Sequence, residues 1–469
     1  MVNQNIPFEI WLNIARFIPP DELQFLLEYR EEIFRNVHML KDNTFAAQRA
    51  RILRLWPQII PTLSSSHRYL PRRTRYKNII TRVIKREPSP SAQAMSNMLQ
   101  VLSGLKNLTD LDLIRCQHCL DLPDLITFLP VVNMGWVTFG HNLQRLALDI
   151  TLEGCEYILS PSLTFPRLEK LVFALSQAYR TTDSRKIMKN ILVPFINRHC
   201  LTLNSLEFSS YDYLDLCGML GALQHFPHLR RLKLDFWFAS PQQTCTAGLQ
   251  HALELHTDSL QDLNLNFTVV KHYSFAPPPA QWFQQKFLRV PLPNLQSLEL
   301  GMTDLVVDAD RTAGYLKQYK NTIKTLVLQS QPFSLHEVDV IVSLFTKTDS
   351  LRTLNISVIE FCPALLDLLS TKLPSLRRLE VEFDYFSPGL EGIDPPHISL
   401  GASGPYSQFC NVMDGRSYPS WKIRYLNVIP SDYIVGDVSG CRDVIKKAIP
   451  SLDNVTIGYK DIMKGFMRF

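Results

Sequence analysis

A short pattern, Leu-x-x-Leu-x-Leu, recurs twelve times along this chain of 469 residues. The copies begin at Leu108, Leu143, Leu168, Leu203, Leu229, Leu260, Leu295, Ile323, Leu351, Leu376, Ile423 and Leu452. Phe, Ile or Val fills some of the later slots, as in Phe173, Phe208, Ile356, Val381, Val428, Val455 and Ile457. Leu108 to Leu452 spans 344 residues in eleven steps, about 31 per step. A fixed period of that size marks a solenoid, in which each unit buries its apolar face only against its neighbours.

Each copy should hold a short strand. Side chains alternate along a strand, so the second and third Leu point inward and the residues between them point to the other face. Between strands the apolar spacing becomes helical: Ile187, Ile191, Leu192 and Phe195; Leu249, Ala252, Leu253 and His256; Val338, Ile341, Val342 and Phe345; Leu365, Leu366 and Leu369. Pro166, Pro227, Pro293, Pro374 and Pro450 close several helices just before the next strand. The pattern resembles a leucine-rich repeat of the longer, helix-containing kind. The resemblance implies an α/β, right-handed horseshoe, with a parallel sheet on the concave side and helices on the convex side. The array is expected over residues 101–469, with a Gly/Pro-rich loop insertion near 387–420, where the step from Leu376 to Ile423 lengthens to 47 residues.

Two regions precede the array: residues 1–45, with a short apolar pattern, and 46–100, read as a basic, partly helical linker. From Asn43 to Arg86 there is no Asp or Glu, while eleven Lys and Arg occur. The formal charge of +5 therefore divides into +11 there and −6 elsewhere. The densest part, 68–86, reads first as a linker. A nuclear import signal or a phosphate-binding patch fits the same composition; nucleic acid is not the expected partner. Nine scattered cysteines and no secretory signal suggest reduced thiols in a cytoplasmic or nuclear protein. The most apolar stretch, Leu125 to Phe139, is shorter than the roughly 20 residues of a membrane helix and contains Pro130 and Gly135, so no span is expected.

The first 45 residues carry Ile6-Pro7-Phe8-Glu9-Ile10, then Ile14, Ile18, Pro19, Pro20 and Leu23. Pro7 suits a first helical turn, Ile10, Ile14 and Ile18 share a face, and the two prolines stop the helix. Spacing alone gives a plain two-helix element. Placed ahead of a leucine-rich array, the order is similar to an F-box, over about 35 residues. Glu28 to Phe34 departs from the usual pattern, with acidic residues where an apolar and a basic one are common. The resemblance implies a substrate receptor of an SCF-type cullin ubiquitin ligase. Ile6, Pro7, Ile10, Ile14, Ile18, Pro20 and Leu23 would dock on the adaptor subunit, and the repeats would hold a target protein. The alternative is a free-standing leucine-rich-repeat scaffold or inhibitor whose N-terminal helices cap the first repeat.

No enzyme motif stands beside these features. Cys116-Gln-His-Cys119 has no second pair at zinc spacing, and Cys116 fits the Asn/Cys slot of the repeat. Thr151, Ser176, Thr268, Thr303 and Ser431 occupy the same offset. Asp110 and Asp112 alternate on one strand as solvated carboxylates rather than an acid/base pair. No phosphate loop, nucleophile elbow or metalloprotease signature occurs. No cofactor, metal or homo-oligomer is expected. The concave positions include Arg145, Asp149, Lys170, Glu207, Arg231, Lys233, Asp235, Asp262, Glu299, Arg378, Glu380 and Glu382. Aromatics follow the strands at Phe236, Trp237, Phe238, Phe267, Phe383, Tyr385 and Phe386. The expected substrate patch is Arg231, Lys233, Asp235 and Trp237, with Arg378, Glu380 and the 387–420 loop, because aromatic and Arg side chains anchor protein interfaces.

Overall fold

A computed structural model describes residues 51–55, 90–113, 122–160, 162–176, 183–210, 214, 216–238, 246–269, 285–303, 309–346, 350–387, 404–430 and 439–458. Ile6 to Leu23, the basic stretch 68–86 and Cys116 and Cys119 lie outside these residues, as do the side chains of Phe236, Trp237 and Phe238. The chain divides into two compact units, Met1–Asn204 and Ser205–Phe469. No helix among the described residues is long and apolar enough to cross a membrane.

Among the described residues of the first unit four parallel strands pair in chain order: β1 (Ile52–Leu55), β2 (Asp110–Leu113), β3 (Arg145–Thr151) and β4 (Lys170–Ser176). Between them lie α1 (Pro90–Gly104), α2 (Leu122–Phe139) and α3 (Leu152–Ile158). After β4 come α4 (Ser184–Ile187), a π turn at Met188–Leu192 and α5 (Val193–Arg198). The sheet therefore starts inside the stretch read as linker, and most of α1 lies there too. Ala50 occupies the first slot of that copy, so its Leu-x-Leu core, Leu53 and Leu55, stands without the leading Leu of the pattern.

Among the described residues the second unit repeats the scheme with nine strands, each parallel to the next. They are β5 (Ser205–Ser210), β6 (Arg231–Phe238), β7 (Asp262–Val269), β8 (Ser297–Thr303), β9 (Thr325–Phe333), β10 (Thr353–Phe361), β11 (Arg378–Phe386), β12 (Tyr425–Pro430) and β13 (Asn454–Ile457). Its α-helices are α6 (Leu216–Leu220), α7 (Ala247–Leu255), α8 (Ala309–Leu316), α9 (Leu335–Val342), α10 (Pro363–Lys372), α11 (Gly404–Asp414) and α12 (Ser439–Ala448). Ser334 and Glu337 close a capping box at α9, as Ser-x-x-Glu predicts. The 387–420 stretch is thus not simply a loop. Its second half is α11, which packs on α12 and β11. Gly and Pro thin out after Pro405, and Phe409 and Met413, four apart, are both buried.

Strand pairing follows the repeat register. Leu232 sits beside Leu263, Leu298, Leu326, Leu354, Leu379, Leu426 and Val455 in successive strands, and all are buried. Each such side chain is worth about 1.5–3 kcal/mol. The leading Leu of each copy lies in the turn before the strand. There two consecutive amides donate to a single carbonyl of the previous repeat. Gln261 and Asp262 share the Arg230 oxygen, and Arg377 and Arg378 share that of Arg352. Ladder and turn together satisfy the backbone that a short strand would otherwise leave unpaired. Thr151, in the Asn/Cys slot, caps α3 by accepting the Gly154 N–H at 3.1 Å.

A second recurring device sits four residues before some copies. His199 Nε2 accepts the Phe165 N–H at 2.9 Å, and its Nδ1–H donates to the Phe195 carbonyl at 2.8 Å. His256 repeats this with Phe226 at 3.0 Å and Ala252 at 2.6 Å. Tyr319, at the equivalent place, donates its hydroxyl to the Val290 carbonyl at 3.1 Å. Each ring ties a helix end to the preceding repeat, and each imidazole does so only when neutral. Burial, the main cause, lowers both imidazoles below the ordinary 6.5. The unfolded chain therefore binds protons first as pH falls, and stability should decline below about pH 6.5. The slope is at most about 1.4 kcal/mol per histidine per pH unit. Urea midpoints at pH 7.5 and 5.5 measure it, and His199→Gln with His256→Gln should flatten the difference.

Candidate functional site

In the second unit the Leu positions of each strand pack toward the helices. The positions between them form polar rungs on the opposite face. One rung runs Glu207, Lys233, Asn264, Glu299 and Val327, then Asn355, Glu380 and Asn427. The next runs Ser209, Asp235, Asn266, Gly301 and Gln329. Strand neighbours about 4.8 Å apart place these groups within hydrogen-bond reach, and they use it.

Asp235 is the hub of the first cluster. Its Oδ2 accepts the Ser209 hydroxyl at 2.7 Å, and its Oδ1 accepts Asn266 Nδ2 at 2.7 Å. Lys233 Nζ stands 3.6 Å from the same carboxylate. Arg231 Nε donates to Asp262 Oδ2 at 2.6 Å, along the outer edge. Burial, partly offset by Lys233 and by hydrogen bonds from Asn264 and Asn266, pushes the Glu299 carboxyl above the usual range. Gly301 makes room for this arrangement: a Cβ there would lie 2.2 Å from Asn266 Oδ1. Asn264 is buried, and its Oδ1 accepts no hydrogen bond from the described residues.

The second cluster centres on Glu380, whose two oxygens accept Asn355 Nδ2 at 2.8 Å and Asn427 Nδ2 at 3.1 Å. Arg378 is exposed at the start of the same strand. Arg231, Lys233 and Asp235 thus lie together on β6. Arg378 and Glu380 lie five strands further on, roughly 24 Å by strand spacing, with Val327 interrupting the rung. The expected patch is two patches. Trp237 occupies a β6 position paired with Thr268. Phe267, Phe383 and Phe386 are core rather than interface: all are buried, and Phe383 and Phe386 pack with Phe361 and Phe409 at ring separations of 4.6–5.7 Å. The alternation carries Phe267 and Phe383 inward past the Leu-x-Leu core, while Phe386, three residues after Phe383, is buried out of that alternation.

The charge is not evenly mixed. Around the first cluster Glu207, Asp235, Asp262 and Glu299 face Arg231 and Lys233. On β11 Glu380, Glu382 and Asp384 face Arg378 alone. Both patches are net acidic. The amides that hold the carboxylates, Asn264, Asn266, Asn355 and Asn427, were legible only as Asn between inward-facing positions of the repeat. In the first unit Asp112 is not the solvated carboxylate expected of it: it is buried and paired with Arg145 on the next strand. Among the described residues no three His, Cys, Asp or Glu side chains gather as a metal-ligand set. The arrangement fixes carboxylates and amides in place. It lines the polar face with hydrogen-bonding groups.

No family model matches the chain, and no curated protein matches it. Solved structures with similar backbones include the leucine-rich-repeat-containing protein LegL7 from Legionella pneumophila. It is 13% identical, with TM-score 0.36, over 75% of this chain and 93% of that one. A protein from Bacteroides fragilis is 11% identical with TM-score 0.31, over 61% of this chain and 68% of the other. Both overlays are too loose to bear on the fold. The leucine-rich-repeat assignment stands on strand order, leucine register and the shared-carbonyl turns.

Proposed function

We propose that this chain is a non-catalytic protein-binding scaffold that holds its partner on the polar face of the second unit. The observation that carries this is the pair of fixed, net acidic carboxylate–amide clusters on β5–β8 and β10–β12. Regular repeats leave such rungs as a continuous row of side chains, which suits an extended macromolecular surface better than a small molecule. Net acidity favours a partner that brings Lys or Arg side chains.

The finer reading is that the scaffold is the substrate receptor of an SCF-type ubiquitin ligase. Its support is the order Ile6-Pro7-x-Glu9-Ile10, Ile14, Ile18, Pro20 and Leu23 ahead of the array. One purification separates the two halves of the proposal. The wild-type chain should bring down an adaptor subunit with its cullin, and a partner. Ile10→Asp should lose the adaptor and keep the partner, with an unchanged circular dichroism spectrum. Asp262→Lys with Glu382→Lys should keep the adaptor and lose the partner. Partner without adaptor in the wild type would leave a free-standing scaffold.

A further inference from the structure

Two cysteines outside the polar face stand sulfur to sulfur. Cys410, on α11, places its Sγ 3.4 Å from the Sγ of Cys441, on α12. Cys441 is buried and Cys410 is partly exposed. The two helices pack directly on each other, and Lys447 Nζ binds Asp414 Oδ1 at 2.7 Å at another point of the same contact. A disulfide needs its sulfurs at about 2.05 Å, so closure asks for an approach of about 1.4 Å, within reach of small side-chain rotations. Two other thiols are poor competitors. Burial pushes Cys155 up, and Cys362 to about 11, which disfavours the thiolate that exchange requires.

We infer that Cys410 and Cys441 form a reversible intramolecular disulfide, a redox modification site that staples α11 to α12. The oxidant is a low-molecular-weight disulfide of the glutathione type. The Cys410 thiolate attacks one of its sulfurs, forms a mixed disulfide and releases one small thiolate. Cys441, having given its proton to solvent, attacks the Cys410 sulfur and releases the second. Two protein thiols are oxidised and one small disulfide is reduced to two thiols. The bridge joins the helices that flank β12 in sequence. That strand carries Asn427, one of the two amides holding Glu380, so the modification fixes the ground beneath the second polar cluster.

The test equilibrates the purified full-length chain in mixtures of oxidised and reduced glutathione. Tryptic peptides are then mapped without reduction, with and without prior unfolding in urea. The expected result is a linked pair of peptides containing Cys410 and Cys441, erased by dithiothreitol. It should form at a glutathione disulfide fraction at least about tenfold lower in the native chain than in urea. The oxidised chain should also melt several degrees higher, a shift absent in Cys441→Ser. No such peptide pair, stable glutathione on Cys410 instead, or equal linking in urea would overturn it. The peptide map is read on the wild type, so a poorly folded serine variant would not obscure the result.

Discussion

Phe361→Ala should destabilise the C-terminal repeats by about 3–5 kcal/mol, the usual range for emptying a fully packed aromatic site. Phe361 ends β10 and is completely buried. Its ring lies 5.5 Å from Phe383, 5.7 Å from Phe386 and 5.5 Å from Phe409. Those three come from the next strand and from α11, so one truncation loosens the contact that joins the strand ends to the helix behind them. Repeat arrays need not unfold in one step, so the effect is best read locally, by hydrogen exchange of the β10 and β11 amides. Phe361→Leu should lose much less. A loss below about 1 kcal/mol for the alanine variant would mean that these rings are not close-packed.

Two glycines of the second unit should respond to alanine with opposite signs. Gly248 lies in α7, where a Cβ would meet the Cys217 carbonyl oxygen at 1.7 Å, its carbon at 2.7 Å and the Gly221 nitrogen at 2.9 Å. All three are backbone atoms, which cannot turn aside. Gly221 in turn approaches the Gly248 Cα, so α6 and α7 meet backbone to backbone. Gly248→Ala must push the helices apart, at more than the roughly 1–3 kcal/mol of ordinary overpacking. Gly314 lies in α8, where an added Cβ would have nothing within 4 Å. Gly314→Ala should stabilise by about 0.5–1 kcal/mol through helix propensity. Thermal melts of the two variants beside the parent decide the matter. Equal shifts of the same sign would contradict the close crossing.

The strands were legible because the leucine pattern states both period and face. Leu232 and Leu234 could only point one way, and Lys233 between them the other. Helices at Leu249 to Leu253 and Val338 to Phe345 were legible for the same reason at a period of 3.6. What the sequence hid was carried by single residues. Ala50 in a leucine slot concealed β1. Gly and Pro on one side of Pro405 concealed α11 on the other. His199 and His256 act through backbone groups of the preceding repeat, a relation that no local spacing reveals. The polar face was legible in position but not in partnership. Asn266 and Ser209 are unremarkable in a sequence, and only strand pairing brings them onto Asp235. The two predicted halves of one patch proved to lie five strands apart, because distance across a sheet grows with every repeat between them.

The scaffold reading is best tested by cross-linking the chain to whatever protein co-purifies with it, using a carboxyl-to-amine reagent, and mapping the joined peptides. Such a reagent offers a fair choice. Asp262, Glu380 and Glu382 lie on strands of the polar face, while Glu254, Asp414 and Asp443 lie on helices. The partner's links should fall on the strand residues of β6–β8 and β11, with the partner contributing mostly lysines to carboxylates of this chain. Links concentrated on Glu254, Asp414 and Asp443 would place the partner on the helices and contradict a polar-face scaffold.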